Sequence, residues 1–321
     1  DIELVYLTST SFAGKKISEI YLNLKGICDI ELVDIDIENI AKNSDIAITA
    51  LPHGVSKEII PKLFEKNVKV LDHSGDFRYR DYKVYEKWYN TTHGMENLLK
   101  YSVYGLPELY RDKIPGAKII ANPGCYPTSI ILALAPLIKN DIVETNSIII
   151  NSASGITGAG RKETLQNMFS EHSQNYKAYN ISTHRHTSEI EQEISLIAGN
   201  DIMVSFTPHI LPVKRGILST IHVDLKKNAD KDIIRKYYTD FYKNEFFVRI
   251  TEDGVLPELK NVVGSNFIDI GFVIDERLGR IIIVSALDNL LKGAAGQAVQ
   301  ILNILNKCPE NTGLMSSGLY L

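Results

Sequence analysis

The sequence predicts an α/β protein in two parts: a Rossmann-like parallel-sheet domain, then an α+β domain with a largely antiparallel sheet. Up to about residue 121, short apolar runs alternate with helical patterns, which favours a parallel sheet covered on both faces. After residue 202 the apolar runs are longer and alternate regularly, as expected for a sheet with one face on a core. The 321 residues, 44% of them hydrophobic, are enough for two cores.

The composition argues against several classes of function. The formal net charge is −4 and the Lys and Arg residues are spread along the chain, so there is no basic patch for nucleic acid or an anionic membrane. No apolar run approaches the roughly 18 residues of a membrane span. Cys28, Cys125 and Cys308 form no CxxC pair, which argues against a disulfide framework and favours a reducing cytoplasm. We expect a cytoplasmic protein that acts on small molecules.

In the first half, residues 1–7 predict a strand that ends in a polar turn at residues 8–11. Further strands are expected at 46–51, 68–72 and 118–121, and helices at 56–64 and 81–89. Ligands bind at the carboxyl ends of parallel strands. The turns at 8–11, 52–54 and 74–78 are therefore candidate ligand contacts.

Cys125 is the most informative single residue. It follows the apolar run 117–120 and a Pro-Gly turn, and it precedes the apolar run 130–137, so a strand is expected to turn into a helix at this cysteine. Most free cysteines are small buried hydrophobic residues. At a helix N-terminus, however, the backbone N–H groups favour the thiolate and can lower the pKa of the thiol. The sequence therefore predicts a nucleophile with a lowered pKa.

Two further segments carry polar side chains in a pattern typical of a site. A strand at 147–152 leads into a loop with three glycines that ends in Arg161, which suits a carboxylate or phosphate, although a flexible hairpin tip is the alternative. His184 and His186 precede a helical pattern that we expect Thr187 or Ser188 to cap. Zinc is the alternative, but the sequence has no third ligand at usable spacing. An acid/base role for at least one of the two histidines is therefore the better interpretation.

The second half predicts strands at 204–207, 217–225, 246–250, 265–273 and 280–286, followed by a helix at 293–305. The strands are more regularly alternating than those of the first half, and the helix carries Ala, Val, Ile and Leu on one face. We therefore expect an α+β domain and a C-terminal helix that packs on a core.

Seven motifs occur in one order along nearly the whole chain. They are NPGCYPT (122–128), LPHG (51–54), YGLPE (104–108), SGITGAGR (154–161), HRHT (184–187), FTPH (206–209) and DNLLKGA (288–294). With these motifs the chain resembles the N-acetyl-gamma-glutamyl-phosphate reductases, NADPH-dependent enzymes of arginine biosynthesis in the aspartate-semialdehyde dehydrogenase-like superfamily.

This resemblance implies a reaction and an organisation. The expected reaction is the NADPH-dependent reduction of N-acetyl-glutamyl 5-phosphate to N-acetyl-glutamate 5-semialdehyde and phosphate through a cysteine thioester. It implies an NADP-binding domain of residues 1–123 plus about 290–321, a catalytic and dimerisation domain of residues 124–289, and a homodimer or homotetramer. The C-terminal helix is expected to pack against the first domain. The resemblance also implies a strand and a Gly-rich phosphate loop upstream of residue 1, so we expect this chain to be N-terminally truncated and to bind NADPH poorly.

The resemblance also assigns the site residues. Catalytic roles fall to Cys125 and to His186 or His184, with a slight preference for His186. The substrate-binding candidates are Arg161, Arg185, Arg215, Ser154 and Gly155, and the cofactor-binding candidates are Thr8, Ser9, Ser11, Pro52, His53, Asn122 and Asn289. Residues 8–11 offer four hydroxyls and no carboxylate, which favours NADPH over NADH. The family commonly has an arginine where Thr10 stands, and Lys15 or Lys16 is a candidate for the missing charge. No metal site is expected.

Two alternatives stay open at this stage. A cysteine hydrolase would also use a cysteine, a histidine and an asparagine, but it would not need the strand and helix alternation of the first half. A related reductase of aspartyl phosphate or N-acetyl-aminoadipyl phosphate would share the chemistry and differ only in its pocket. Only the matches at 155–161 and 184–186 favour the glutamyl substrate.

Overall fold

The structure, a computed structural model, describes residues 2–160, 164–226 and 230–320. The strands are β1 (Leu7–Thr8), β2 (Leu32–Val33), β3 (Ile46–Thr49), β4 (Lys69–Asp72), β5 (Ser102–Tyr104), β6 (Ile119–Ala121), β7 (Ile149–Gly155), β8 (Lys177–Ala178), β9 (Ser205–Leu211), β10 (Ile217–Asp224), β11 (Val248–Ile250), β12 (Ile268–Asp275) and β13 (Arg280–Leu287). The α-helices are α1 (Ile17–Ile20), α2 (Ile37–Asn43), α3 (Ser56–Glu65), α4 (Tyr82–Tyr89), α5 (Glu96–Leu99), α6 (Pro107–Tyr110), α7 (Cys125–Lys139), α8 (Phe169–His172), α9 (His186–Ala198), α10 (Lys231–Tyr242), α11 (Leu259–Val262) and α12 (Gly296–Leu305). A π-helical turn, Leu291–Ala295, precedes α12.

A four-stranded parallel sheet in the order β3-β4-β6-β5 organises the first part of the chain. Successive residues point to opposite faces, so Val70 and Ile119 join one buried cluster while Leu71 and Ile120 join another. The second cluster includes Ile301 of α12, so the C-terminal helix packs on this sheet as expected. The parallel sheet and the covering helix confirm the Rossmann-like part of the prediction.

The predicted strand at residues 1–7 is wrong in its bounds. Only Leu7–Thr8 is a strand, and it pairs in parallel with Leu32–Val33 as a sheet of two strands that is separate from the larger sheet. Ile2, Leu4 and Val5 are exposed. Alternating residues alone do not make a strand where neither face is buried and the backbone groups face water.

A seven-stranded mixed sheet, β11-β12-β13-β10-β7-β9-β8, organises the second part. Four of its six pairings are antiparallel, and only β11 with β12 and β7 with β9 are parallel. Along β10, buried and half-buried residues alternate, and the buried set shares one core with α7, α9 and α10. The fold class is therefore confirmed: a parallel-sheet part and an α+β part with a largely antiparallel sheet.

Helix α7 lies at the centre of the second core and is buried from Tyr126 to Ile138. It contacts α9 and α10 on its own layer and packs on β10 and β13 of the mixed sheet. Because α7 starts directly after β6, its first residue stands where the two sheets meet. The fold therefore places Cys125 between the two parts of the protein.

The predicted cap of α9 is wrong. The helix begins at His186 with Arg185 as its N-cap residue, so Thr187 and Ser188 lie inside the first turn. Ser188 Oγ instead contacts the Tyr79 hydroxyl at 3.0 Å and the Arg185 carbonyl at 2.9 Å. The Ser188 hydroxyl, which was predicted to cap α9, therefore contacts Tyr79 in the first part of the chain instead.

No helix within the described residues is both long and apolar enough to cross a membrane.

Candidate active site

The nucleophile turn, residues 122–125, connects β6 to α7. Gly124 has an extended backbone (φ −67°, ψ 152°), and Cys125 is the first residue of the helix. A β-carbon built at Gly124 would lie 2.5 Å from Nε2 of His186. The imidazole therefore lies against the backbone immediately before Cys125, in a place that only glycine leaves open. The structure brings the predicted cysteine and the preferred histidine together.

The predicted lowering of the Cys125 pKa is wrong. Burial raises the pKa of the Cys125 thiol to about 11, although the Tyr126 N–H and the Arg78 guanidinium both act to lower it. The helix N-terminus does favour the thiolate, but desolvation by the surrounding core is the larger effect. At neutral pH this cysteine is a thiol that needs a base.

The two histidines have different surroundings. Nδ1 of His184 accepts a hydrogen bond from the His186 N–H at 3.2 Å, and Nε2 lies 3.4 Å from the Tyr179 hydroxyl. Nδ1 of His186 is buried and has no hydrogen-bond partner among the described residues. Burial lowers the pKa of His184 to about 4 and that of His186 well below its ordinary value, so both rings are neutral bases at pH 7. His184 therefore accepts the first N–H of α9, whereas Nδ1 of His186 is available to a ligand.

Arg78, which the sequence analysis did not single out, holds the nucleophile turn from the parallel-sheet side. Its Nε donates to the Asn122 carbonyl at 2.8 Å and its Nη2 to the His73 carbonyl at 2.9 Å. Its Nη1 forms a 3.0 Å ion pair with Glu189 of α9, and the two side chains are only 5% and 0% exposed. The turn at 74–78 was predicted to lie near ligands, but the pairing of Arg78 with Glu189 can be seen only in the folded structure.

Glu189 accepts two more hydrogen bonds with its other oxygen. The Gly124 N–H donates to Oε1 at 2.8 Å and the Tyr104 hydroxyl at 2.7 Å. The carboxylate thus connects the residue before Cys125 to the helix that begins at His186. Its charge is matched by Arg78, which is the condition for a buried ion pair to be tolerated.

Arg215 and Asn289 meet the glycine loop on the mixed-sheet side. Nη2 of Arg215 pairs with Asp288 at 2.8 Å, and its side chain is 30% exposed. Asn289 Oδ1 accepts from the Gly216 N–H at 2.7 Å, and its Nδ2 donates to Thr157 at 3.0 Å. The structure therefore places the cofactor candidate Asn289 among the substrate candidates.

Family models match both parts of the chain. Residues 1–117 match the model described as semialdehyde dehydrogenase, NAD binding domain, and residues 125–289 match semialdehyde dehydrogenase, dimerisation domain. Among curated relatives, the N-acetyl-gamma-glutamyl-phosphate reductase of Acetivibrio thermocellus is 58% identical over 321 residues, covering 100% of this chain and 93% of the relative. The enzyme of the same name from Pelotomaculum thermopropionicum is 50% identical, covering 99% and 92%. The chain belongs to the N-acetyl-gamma-glutamyl-phosphate reductase family.

Solved structures agree with this family at the level of the fold. The aspartate semialdehyde dehydrogenase II of Vibrio cholerae, complexed with ASA, superimposes with a TM-score of 0.70 at 19% identity, covering 95% of this chain and 90% of that one. The aspartate semialdehyde dehydrogenase of Candida albicans, with NADP, gives a TM-score of 0.65 at 16% identity, covering 95% and 91%. Membership of the family makes this chain an oxidoreductase with a dinucleotide-binding part.

The remaining substrate candidates that the structure describes, Ser154, Gly155 and Arg185, have different surroundings. Ser154 is buried at the end of β7, and the Gly155 N–H donates to the Gly216 carbonyl at 2.9 Å, so the loop is tied to the Arg215 segment. Arg185 is exposed, with its guanidinium 4.8 Å from the centre of the Tyr89 ring. Arg161 lies outside the described residues.

The cofactor candidates fall into two groups. Asn122 Nδ2 lies 3.2 Å from both the His73 ring and the Ala294 carbonyl, whereas its Oδ1 is buried without a partner among the described residues. The turn of Pro52 and His53 follows β3, and His53 Nδ1 accepts from a backbone N–H at 2.8 Å.

Thr8, Ser9 and Ser11 form the second group, at the end of β1. Thr8 and Ser11 are exposed. The Ser9 N–H donates to the Val33 carbonyl at 2.9 Å, which ties this turn to the two-stranded sheet.

Proposed function

We propose that this chain reduces N-acetyl-glutamyl 5-phosphate to N-acetyl-glutamate 5-semialdehyde and phosphate, using NADPH and a thioester on Cys125. The observation that carries the proposal is the neutral His186 imidazole against the backbone of the residue before Cys125. The full-length similarity to relatives that carry this activity in their name supports the substrate.

His186 acts first as the base. Because the pKa of the thiol is raised to about 11, little thiolate exists at pH 7, and the proton has to leave as the sulfur attacks the acyl carbon. The lowered pKa of His186 keeps its ring unprotonated and ready to accept this proton. Attack forms the carbon–sulfur bond, and phosphate leaves with the electrons of the carbon–oxygen bond.

The same imidazole serves in the second half of the reaction. When bound, the nicotinamide cofactor supplies the hydride that reduces the thioester carbon. His186, which holds the proton taken from the thiol, gives it to the oxygen of the thiohemiacetal as the hydride arrives. The imidazole takes the same proton back as the carbon–sulfur bond breaks and passes it to the departing sulfur, so the aldehyde is released and the Cys125 thiol is restored. The backbone N–H groups at the start of α7, which favour negative charge at Cys125, are placed to stabilise charge at the reacting centre.

Cationic side chains hold the ends of the substrate. Arg215 keeps part of its guanidinium exposed while Asp288 fixes its direction, which suits a carboxylate or the leaving phosphate. We assign Arg185, Arg161, Ser154 and Gly155 to the same task. His184 acts through His186, whose N–H it holds.

The residues present also fit a nicotinamide dinucleotide. The unpartnered Oδ1 of Asn122 is an acceptor for an N–H group, such as that of a carboxamide, beside the nucleophile. Pro52 and His53 follow β3 on the parallel-sheet side and Asn289 lies on the mixed-sheet side, and we assign all three to the cofactor. The hydroxyls of Thr8, Ser9 and Ser11 suit a ribose phosphate. No carboxylate stands within residues 8–11 to repel a 2′-phosphate, which favours NADPH over NADH.

The domain division and assembly are part of the proposal. Residues 1–123 with about 290–321 form the NADP-binding domain and residues 124–289 the catalytic and dimerisation domain. The packing of α12 on the parallel sheet supports this division. A homodimer or homotetramer is proposed because the model that matches residues 125–289 is named for dimerisation. A cytoplasmic location is proposed because the three cysteines form no CxxC pair and favour a reducing compartment.

The test is a coupled assay of phosphate-dependent NADP⁺ reduction by N-acetyl-glutamate semialdehyde, with aspartate semialdehyde and N-acetyl-aminoadipate semialdehyde as competitors. We expect the glutamyl substrate to give the highest kcat/KM, and NADP⁺ to bind more tightly than NAD⁺. A higher kcat/KM with either competitor, or, in the biosynthetic direction, hydrolysis of N-acetyl-glutamyl 5-phosphate without oxidation of NADPH, would overturn the assignment.

A further inference from the structure

The π-helical turn Leu291–Ala295 lies directly before α12 and against the nucleophile turn. Two of its hydrogen bonds span five residues: the Gly293 N–H donates to the Asp288 carbonyl at 3.0 Å, and the Ala295 N–H to the Leu290 carbonyl at 2.9 Å. Turns of this kind are rare and occur frequently at functional sites. The extra residue of the turn shifts which of its residues face the neighbouring segments, and Gly293 is the one that faces Cys125.

The turn meets Cys125 through Gly293. A β-carbon built at Gly293 would lie 2.8 Å from Cβ of Cys125 and 3.3 Å from its Cα. Neither atom is the end of a flexible side chain, so any side chain at position 293 would displace Cys125 or the turn itself. A second contact joins the same two segments, because Asn122 Nδ2 donates to the Ala294 carbonyl at 3.2 Å.

The turn is anchored on both sides. Lys292 is fully buried, and its Nζ donates to Glu108 at 2.6 Å and to Gln300 at 2.8 Å. Breaking the Lys292–Glu108 pair would leave an uncompensated charge in the core. The cost of doing so holds the turn in place. At its other end Asp288 accepts from the Leu290 N–H at 2.8 Å and also pairs with Arg215. A rigid turn therefore connects Arg215 to the backbone of the nucleophile.

We propose that Gly293 is a positioning residue: its missing side chain lets the anchored π-turn fix Cys125 at a set place relative to Arg215. The inference rests on the proposed function, because it treats Cys125 as the nucleophile and Arg215 as a substrate ligand. A glycine retained only for stability would alter the melting temperature and leave the reactivity of Cys125 unchanged.

The first test compares Gly293→Ala with Gly271→Ala. The control lies in β12, where a new Cβ would clash with Thr251 Oγ1 and Pro257 Cδ and lie 3.1 Å from the Val255 carbonyl oxygen, rather than with Cys125 or the π-turn. For Gly293→Ala we expect kcat to fall by about 10- to 100-fold with KM within about threefold, since misplacement near 1 Å has this order of effect. We also expect the pH profile of Cys125 alkylation by iodoacetamide to move to higher pH, because the displaced sulfur loses the Tyr126 N–H that favours the thiolate.

Alkylation of Cys308 serves as the internal reference. Gly271→Ala should leave kcat and the Cys125 profile within about twofold of the parent. A Gly293→Ala enzyme with normal kcat and a normal alkylation profile would overturn the proposal, as would equal losses in Gly271→Ala.

A second test covers the case in which Gly293→Ala folds poorly. The substitution is repeated in a Cys125→Gly background, which removes the atom at 2.8 Å, and melting temperatures are compared. We expect the loss of melting temperature caused by Gly293→Ala to be much smaller in that background, where only the 3.3 Å contacts with Cα of residue 125 and with the Asp288 carbonyl oxygen are left. An equal loss in both backgrounds would overturn the proposal. Alkylation and melting need no turnover. A failure of the proposed function, seen as an active Cys125→Ser variant, is therefore distinguishable from a failure here.

Discussion

Replacing Glu189 with Gln tests how the nucleophile turn is held and charged. The carboxylate is fully buried and accepts hydrogen bonds from Tyr104 at 2.7 Å, Gly124 at 2.8 Å and Arg78 at 3.0 Å. The amide of Glu189→Gln removes the negative charge and leaves the Arg78 guanidinium buried without a counter-ion. Because the two side chains are 5% and 0% exposed, we expect the loss of about 3 to 5 kcal/mol that is typical of a broken buried pair.

The same substitution should change the reactivity of Cys125 in the opposite direction. The Glu189 charge raises the pKa of the Cys125 thiol, whereas Arg78 lowers it, so Glu189→Gln lowers that pKa. Iodoacetamide reacts with the thiolate, and alkylation at a fixed pH should therefore become faster even as the protein becomes less stable. Turnover should fall, because the Gly124 N–H loses its charged acceptor. The connection between the nucleophile turn and α9 is weakened as a result.

Glu193→Gln is the matched control, one turn further along α9. Glu193 is also fully buried, but it accepts from the Tyr110 hydroxyl at 2.5 Å and from Gln192 at 2.7 Å, and it has no ion pair among the described residues. Glu193→Gln keeps the shape of the side chain and leaves no buried charge without its ion-pair partner, so it should cost about 1 kcal/mol, the usual size of one hydrogen bond. Urea unfolding and peptide mapping of the alkylated thiols measure both quantities. Equal stability losses in the two variants, or slower alkylation in Glu189→Gln, would refute the reasoning.

Three further outcomes are expected. His186→Asn should lower kcat by about 10²- to 10⁴-fold and His184→Asn by much less, and the reverse order in the coupled assay would reassign the base. Alkylation of Cys125 in the ligand-free enzyme should accelerate with rising pH towards a midpoint near 11, whereas a plateau below pH 8 would show a preformed thiolate. The folded-state pKa of His184, about 4, lies below the ordinary 6.5, so its contribution to stability is present above pH 6.5 and lost as the pH falls towards 4. Urea unfolding between pH 7 and 4 should show a smaller acid loss in His184→Asn than in the parent.

The sequence predicted the long elements well because their periodicity reflects burial. The strand at 46–51 and the helix at 56–64 appear as Ile46–Thr49 and Ser56–Glu65, and all five strands expected after residue 202 are present with shifted ends. Short elements such as Ser102–Tyr104 and Pro107–Tyr110 were missed, because three or four residues carry too little pattern. The helix Lys231–Tyr242 was also missed, although an aspartate at position 230 is a capping signal that the sequence offers. In the structure the Asp230 carboxylate accepts a hydrogen bond from the Ile233 N–H.

The site was predictable where its chemistry lies in one segment. Cys125 at a helix start and two histidines before a helix are local patterns. The Arg78–Glu189 pair joins residues 111 positions apart, and the contact of Gly293 with Cys125 depends on a π-turn, so neither has a local signature. The predicted direction of the Cys125 pKa shift was wrong for the same reason. The burial that sets it comes from helices and strands far away in the sequence.

The covalent intermediate tests the central claim most directly. The enzyme is mixed with N-acetyl-glutamate semialdehyde and NADP⁺ in the absence of phosphate, quenched in acid and digested for mass spectrometry. We predict one N-acetyl-glutamyl group on the peptide that contains Cys125, none on Cys28 or Cys308, and loss of the adduct when phosphate is added before the quench. Phosphate-dependent turnover with an unmodified Cys125 under these conditions, or with the acyl group on another residue, would contradict the account.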